Sequence, residues 1–250
     1  MKDELTVKIE DGVAFYKNDD GDWQPLDSSR LGSRLKIDSS GPPTDDQLEK
    51  INKFIPKGFP HLSKDEVISV SVVAADNLVN RGYGAWDVEA LKKMSDLIIG
   101  KPALINHDHY DVRSQWGRIY DAQFVKVPTP DSEFLSRAGF GDVNEKIIND
   151  RGFYRVFIQA FTNADHDIVK ALKYSQVGEV STGGFRFKNY ICGDCKVSFT
   201  DKKCPHYIPT PWDNGTEEHA SHYIRANLTD ILECSFVSNP NLPGAGVVYN

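Results

Sequence analysis

The strongest constraint on this chain is a set of three segments rich in β-branched and aromatic residues: VISVSVVAA at 67–75, GRIYDAQFVKV at 117–127 and GFYRVFIQAFT at 152–162. Such side chains suit a pleated, buried or half-buried surface. The first segment reads as a buried strand, and the other two alternate strongly enough to pair with each other. A further strand is expected in LTDILECSFVSN at 228–239, with Leu232, Cys234 and Phe236 on one side and Ile231, Glu233, Ser235 and Val237 on the other. Strands therefore dominate, with at least two helices between them, and the expected fold class is α+β.

Helical spacing marks three segments. Val88, Leu91, Met94 and Leu97 recur on one face after Asp87, a candidate cap, and Gly100 can end that helix in a left-handed turn. Residues 163–174 read as a second helix, capped by Asn163 or Asp165 and burying Ile168, Val169 and Leu172. A short third helix is expected from Thr44 through Phe54, with Asp45 and Asp46 at the favourable end of its dipole. NRGYG at 80–84 reads as a turn, and 128–151 as a Pro- and Gly-containing excursion.

A length of 250 residues suits one large or two small cores. The main domain is expected at 66–250. Residues 1–65 are polar and punctuated by DDGDW, SSRLGSR and SSGPPTDD, and read as an arm or subdomain of unknown role. The balance of 29 basic against 36 acidic residues, net −7, argues against bulk nucleic-acid binding, which draws its affinity from phosphate neutralisation. No apolar run is long enough to span a bilayer and no secretory signal opens the chain, so no membrane partner and a cytoplasmic location are expected.

Cys192, Cys195 and Cys204 cluster while Cys234 stands apart, a layout more typical of a metal site than of a disulfide scaffold. Cys192-x-x-Cys195 followed by Cys204-x-His206 supplies three thiolates and an imidazole, the set that structural Zn2+ favours. A small zinc-knuckle insertion at 190–207 is expected, with His219 or His222 as alternative fourth ligands. A closed site of this kind would stabilise the insertion without joining any chemistry, and the absence of His-Glu-x-x-His speaks against a zinc hydrolase. Cys234 reads as a core thiol.

Three further signals suggest chemistry. A histidine ends a strand in NHDH, a serine enters a glycine pair in VSTGGF, and a glutamate lies inside the apolar run ILECSF. Serine-based hydrolysis needs such groups from separate segments: a hydroxyl, a base, an orienting acid and backbone donors for the oxyanion. Taken singly, His107 reads as a turn histidine, Ser181 as a strand residue before a bulge, and Glu233 as a solvent-facing charge.

In order and context, however, the three runs GKPALINHDHYDVRSQWGRIYDA, VGEVSTGGFRFKNYICGDC and DILECSFVSNPNLPGAGV resemble the histidine, serine and closing motifs of the tailed-phage prohead proteases. The resemblance covers about residues 66 to 248. It implies an assemblin-like fold, a mostly antiparallel β-barrel core surrounded by helices. It also implies a serine protease that cleaves scaffold and capsid proteins inside the procapsid, in the host cytoplasm, with self-association left open. Ser181 would be the nucleophile, His107 the base and Glu233 the orienting acid, with Asp230 and Ser235 as fallbacks. Oxyanion donors are expected near Gly183 and Gly184, and Asp108, His109 and Arg118 would flank the site. Ser-Thr-Gly-Gly-Phe has one glycine more than many relatives carry there, which can shift the strand register. The competing readings are a catalytically silent structural virion component with the same fold, and a general zinc-binding interaction module.

Overall fold

The computed structural model describes residues 7–10, 13–17, 23–25, 42–136, 140–174, 176–209, 219–238, 240, 242 and 245–247. DDGDW, except for Trp23, and SSRLGSR in the N-terminal region lie outside the described residues.

In chain order the strands are β1 Val7–Glu10, β2 Val13–Lys17, β3 Trp23–Pro25, β4 Val67–Asp76, β5 Gly84–Trp86, β6 Pro102–Ile105, β7 Gly117–Val127, β8 Phe153–Asn163, β9 Val180–Gly183, β10 Arg186–Cys192, β11 Tyr223–Asp230, β12 Glu233–Phe236 and β13 Gly246–Val247. The helices are α1 Asp45–Asn52, α2 Val88–Leu97, α3 Ser132–Ser136, α4 Gly141–Arg151 and α5 Asp167–Lys173. The protein is thus α+β, as the segment pattern requires.

The main sheet runs β13-β4-β8-β7-β6-β12-β9, and β1 to β3 join it through β2 and β7. Its pairings are antiparallel except β6 with β12 and β2 with β7. All ten residues of β4 are buried, because β-branched side chains cover both faces of a strand flanked by β13 and β8. One face carries Val70, Val72 and Ala74 into a core shared with Ile119, Val156, Ile158 and Phe236, and α2 closes that core with Leu91 and Met94. Burying each such side chain is worth roughly 1.5–3 kcal/mol.

Among the described residues no ladder closes this sheet into a barrel. The two ends approach, and Val180 N–H donates to Ala245 O at 3.4 Å. Among the described residues β13 is two residues long and β9 four.

A second sheet, β10-β11-β5, meets the first through α2, which packs against β11, β8 and β7. Trp86 of β5 meets Phe185 and Phe187 edge-on, with ring centroids at 4.8 and 5.2 Å, and so ties the small sheet to the chain leaving β9.

Several local expectations change. The strand expected at 228–239 is two strands in different sheets: β11 ends at Asp230, the chain crosses over at Ile231 and Leu232, and β12 starts at Glu233. The crossing reverses the expected facing, since Ile231 is fully buried and Leu232 is 40% exposed. The excursion at 128–151 contains α4, anchored by its buried Asn144, whose Oδ1 accepts Val79 N–H at 2.8 Å. The cap of α5 is His166, whose Nδ1 accepts Ile168 N–H at 3.1 Å, and not Asn163 or Asp165. Thr44 caps α1 with a reciprocal box to Gln47, and the fully buried Ile51 carries that helix into the interior.

Candidate active site and metal centre

β6 delivers the chain to a turn in which Asn106 and His107 both adopt left-handed backbone, with φ of 53° and 57°. Such backbone costs of the order of 1 kcal/mol or more for a residue with a Cβ and persists only when its surroundings fix it. Here Asn106 N–H donates to Phe236 O at 2.9 Å and His107 N–H to Ser235 Oγ at 3.2 Å, both on β12. The imidazole is thereby laid over β12, where Nδ1 meets Glu233 Oε1 at 2.6 Å.

Glu233 and Ser235 are fully buried. A buried carboxylate is tolerated only when its oxygens are satisfied. Oε1 takes His107, and Oε2 accepts the Ser235 hydroxyl. Ser235 therefore braces both members of the pair, a role that its earlier standing as a substitute acid does not capture. With a carboxylate on Nδ1 the ring proton resides there, and Nε2 carries the lone pair. Hydrogen bonding to Glu233 raises the His107 pKa above its ordinary 6.5, against the burial that lowers it.

β9 brings Ser181 to the same face. It pairs with β12 in unbroken register, Gly183 opposite Glu233 and Ser181 opposite Ser235. Directly opposed residues share a face of the sheet. Val180, Cys234 and Phe236 turn to the other face and enter the core. The extra glycine leaves this register intact, because the departure comes after it, at Gly184 with φ of 67°. A Cβ at Gly183 would overlap the Glu233 carboxylate and stand 2.8 Å from His107 Nδ1. The hydrogen bond of the His107 ring is to Glu233, and among the described residues none joins it to Ser181.

Backbone donors follow from the ladder. Val237 N–H donates to Glu179 O at 3.0 Å, so alternation turns the amides of Ser181 and Gly183 toward β12 and that of Thr182 away from it. Of the flanking residues, Asp108 and Arg118 hydrogen-bond to other groups. Asp108 Oδ1 caps its own turn by accepting Tyr110 N–H at 2.9 Å, Arg118 reaches Gly100 O at 3.3 Å, and His109 is exposed. Asp230 pairs with Lys101 at 3.3 Å, which pulls its carboxyl below the usual range. The charged neighbour of His107 is Glu233.

No family, no curated protein and no solved structure matches this chain. What can be said of its chemistry comes from these side chains.

The second cluster forms where β10 ends. Cys192 N–H donates to Val197 O at 2.8 Å and Lys196 N–H to Cys192 O at 3.1 Å, folding the CGDC segment into a tight turn with Lys196 in left-handed backbone. Cys204 and His206 come back against it. The four ligand atoms of Cys192, Cys195, Cys204 and His206 all lie within 4.8 Å of one another. Cys192 Sγ is 3.5 Å from His206 Nδ1, and Cys195 Sγ is 3.5 Å from Cys204 Sγ. A tetrahedral ion bound at about 2.0–2.3 Å requires ligand separations of roughly this size.

All four cysteines are free thiols. Burial pushes the Cys192 thiol up, while the Val197 amide first and then neighbouring side chains pull Cys195 down. His219 and His222 stand outside the quartet. His219 bridges to Tyr207, and His222 is buried with Nδ1 2.9 Å from Ser221 Oγ. Cys234 lies in the core, where burial raises its thiol far above the ordinary range.

Proposed function

We propose that this chain is a serine hydrolase of the prohead-protease kind, acting on peptide bonds in capsid and scaffold proteins. The observation that carries the reading is the 2.6 Å contact between His107 Nδ1 and the buried Glu233, on the sheet face that also bears Ser181. Ser181 Oγ attacks the scissile carbonyl and yields its proton to His107 Nε2. Glu233 holds the ring in the tautomer that can accept it and stabilises the imidazolium. The oxyanion is met by the outward amide of Thr182. Collapse of the intermediate breaks the C–N bond as Nε2 returns the proton to the leaving amine, leaving an acyl ester on Ser181. A water, deprotonated by Nε2, then releases the acid and restores the hydroxyl. No hydrogen bond joins Ser181 to His107 among the described residues, so this reading requires one to form when substrate binds, as catalytic hydrogen bonds often tighten only then.

The curled, mostly antiparallel sheet with helices around it supports the assemblin-like resemblance up to the point of closure. The Cys192, Cys195, Cys204 and His206 quartet, with no ligand position left open, suits structural Zn2+. The setting of the reaction is the procapsid in the host cytoplasm, with self-association of the protease open. Among the described residues no helix is long and apolar enough to cross a membrane.

The lack of a His107 bond to Ser181 favours a second reading, a virion component that keeps the fold with a silent triad. Co-expression with the cognate capsid and scaffold proteins separates the two. Mass spectrometry should find fragments that vanish in Ser181→Ala, and identical patterns from both forms would leave only the silent component.

A further inference from the structure

The segments bearing Ser181 and Glu233 pair twice. They pair as β9 with β12 in the main sheet, and then as β10 with β11 in the small one. The two ladders are one long hairpin, bent where Gly184 meets Leu232 and Leu232 N–H donates to Gly183 O at 3.2 Å. The catalytic residues lie at its base and the thiol and imidazole quartet at its far end.

That far end lacks a tight turn. The last pair is Cys192 with Tyr223, so residues 193 to 222 form the connection, a loop of about 30 residues where hairpins commonly use 2–5. Closing a long loop costs conformational entropy that a short turn avoids. The contacts that close it come from residues set among the quartet. Asp194, between Cys192 and Cys195, accepts both Ser221 N–H at 2.7 Å and the Ser221 hydroxyl at 2.6 Å. Gly193 N–H donates to His222 O at 2.9 Å, and the His222 ring lies against Gly193. Tyr207, next to His206, accepts Ala220 N–H at 3.1 Å.

We infer that Zn2+ bound by Cys192, Cys195, Cys204 and His206 folds a clasp whose Asp194 grips Ser221, and that this clasp sets the register of the hairpin carrying Ser181 and Glu233. Register matters here because a slip of one strand by one residue would put Ser181 and Glu233 on opposite faces of the sheet. The ion is a positioning element, remote from the reacting atoms. The catalytic consequence rests on the hydrolase reading above, whereas the clasp itself does not.

The test uses the full chain with three measurements: zinc content, backbone hydrogen exchange, and labelling of Ser181 by a fluorophosphonate. Two perturbations are compared: removal of zinc by a chelator followed by zinc addition, and Asp194→Ala, which keeps all four ligands. The expected result is about one zinc per chain. Chelation should speed exchange in β10 and β11, and in β9 and β12, by about tenfold or more, with slower Ser181 labelling, and zinc should reverse both. Asp194→Ala should keep its zinc yet exchange faster in the same strands. A chain that binds no zinc, or exchange that is unmoved by chelation or by Asp194→Ala, would overturn the clasp. Wild-type protein that keeps zinc and the exchange response but never reacts with the probe would sink the hydrolase reading and leave the clasp standing.

Discussion

Gly183 faces Glu233 across the β9–β12 ladder with no room for a side chain between them. A methyl group there would have to displace the carboxylate or the imidazole. Gly183→Ala should therefore lower Ser181 labelling about a hundredfold, the usual cost of a 1 Å misplacement at a reacting centre. It should also return the His107 pKa toward its ordinary value, read by imidazole NMR. Unchanged labelling would mean that the His107–Glu233 contact is not part of the chemistry.

The pH dependence has a definite sign. His107 works as a base only when neutral, and Glu233 raises its pKa above 6.5. Labelling of Ser181 should rise with pH through a midpoint above that value. The same shift means that the stability contributed by charged His107 is complete below 6.5 and is lost as pH climbs through the raised pKa. Glu233→Gln should move the midpoint acidward, since burial alone lowers it, and slow labelling on the order of ten-thousandfold. A midpoint that does not move would assign the shift to another group.

Ser235→Ala removes the hydroxyl that donates to Glu233 Oε2 and accepts His107 N–H. Both partners are left short in a buried setting, and urea denaturation should show a loss of about 1–3 kcal/mol. Ser235→Thr keeps the hydroxyl, so it should recover the His107 pKa even where crowding lowers stability.

Arg155 is fully buried, its guanidinium 5.0 Å from the rings of both Phe134 and Phe153 and, among the described residues, without a hydrogen-bond partner. Asp76, opposite it in the β4–β8 register, is its countercharge, and burial pushes the Asp76 carboxyl up to about 6. Asp76→Asn mimics the protonated carboxyl that the raised pKa favours, so it should leave stability at neutral pH unchanged or higher and remove the pH dependence that follows. In the wild type, the stability held by protonated Asp76 should be full below the ordinary carboxylate value of 3.8 and be lost as pH rises through about 6. Thermal melts across that range check the slope.

The long strands were legible because β-branched side chains every second residue have few other ways to be buried, and β4, β7 and β8 fall where that pattern lies. The helix α4 was hidden because it buries little beyond Asn144 and Ile148, leaving no apolar stripe. The division of 228–239 into β11 and β12 was also invisible. The chain changes sheets at Ile231 and Leu232, two apolar residues with none of the glycine or proline that marks a turn. Glu233 looked like a solvent-facing charge, because a period of two assigns it to the face opposite the core without saying what covers that face. The His107 ring, brought over β12 by the turn after β6, supplies that cover. The three cysteines of the candidate metal site were readable from spacing, since Cys-x-x-Cys is a local motif. Distinguishing His206 from His219 and His222 required tertiary contacts.

The left-handed turn at Asn106 and His107 bears on when the molecule can act. An unfolded chain seldom visits that backbone twice in succession, and what holds it is hydrogen bonding to β12. The imidazole cannot be presented until β6 has paired with a strand more than a hundred residues downstream. On the hydrolase reading, a nascent or partly folded copy would be inert until β6 and β12 have paired.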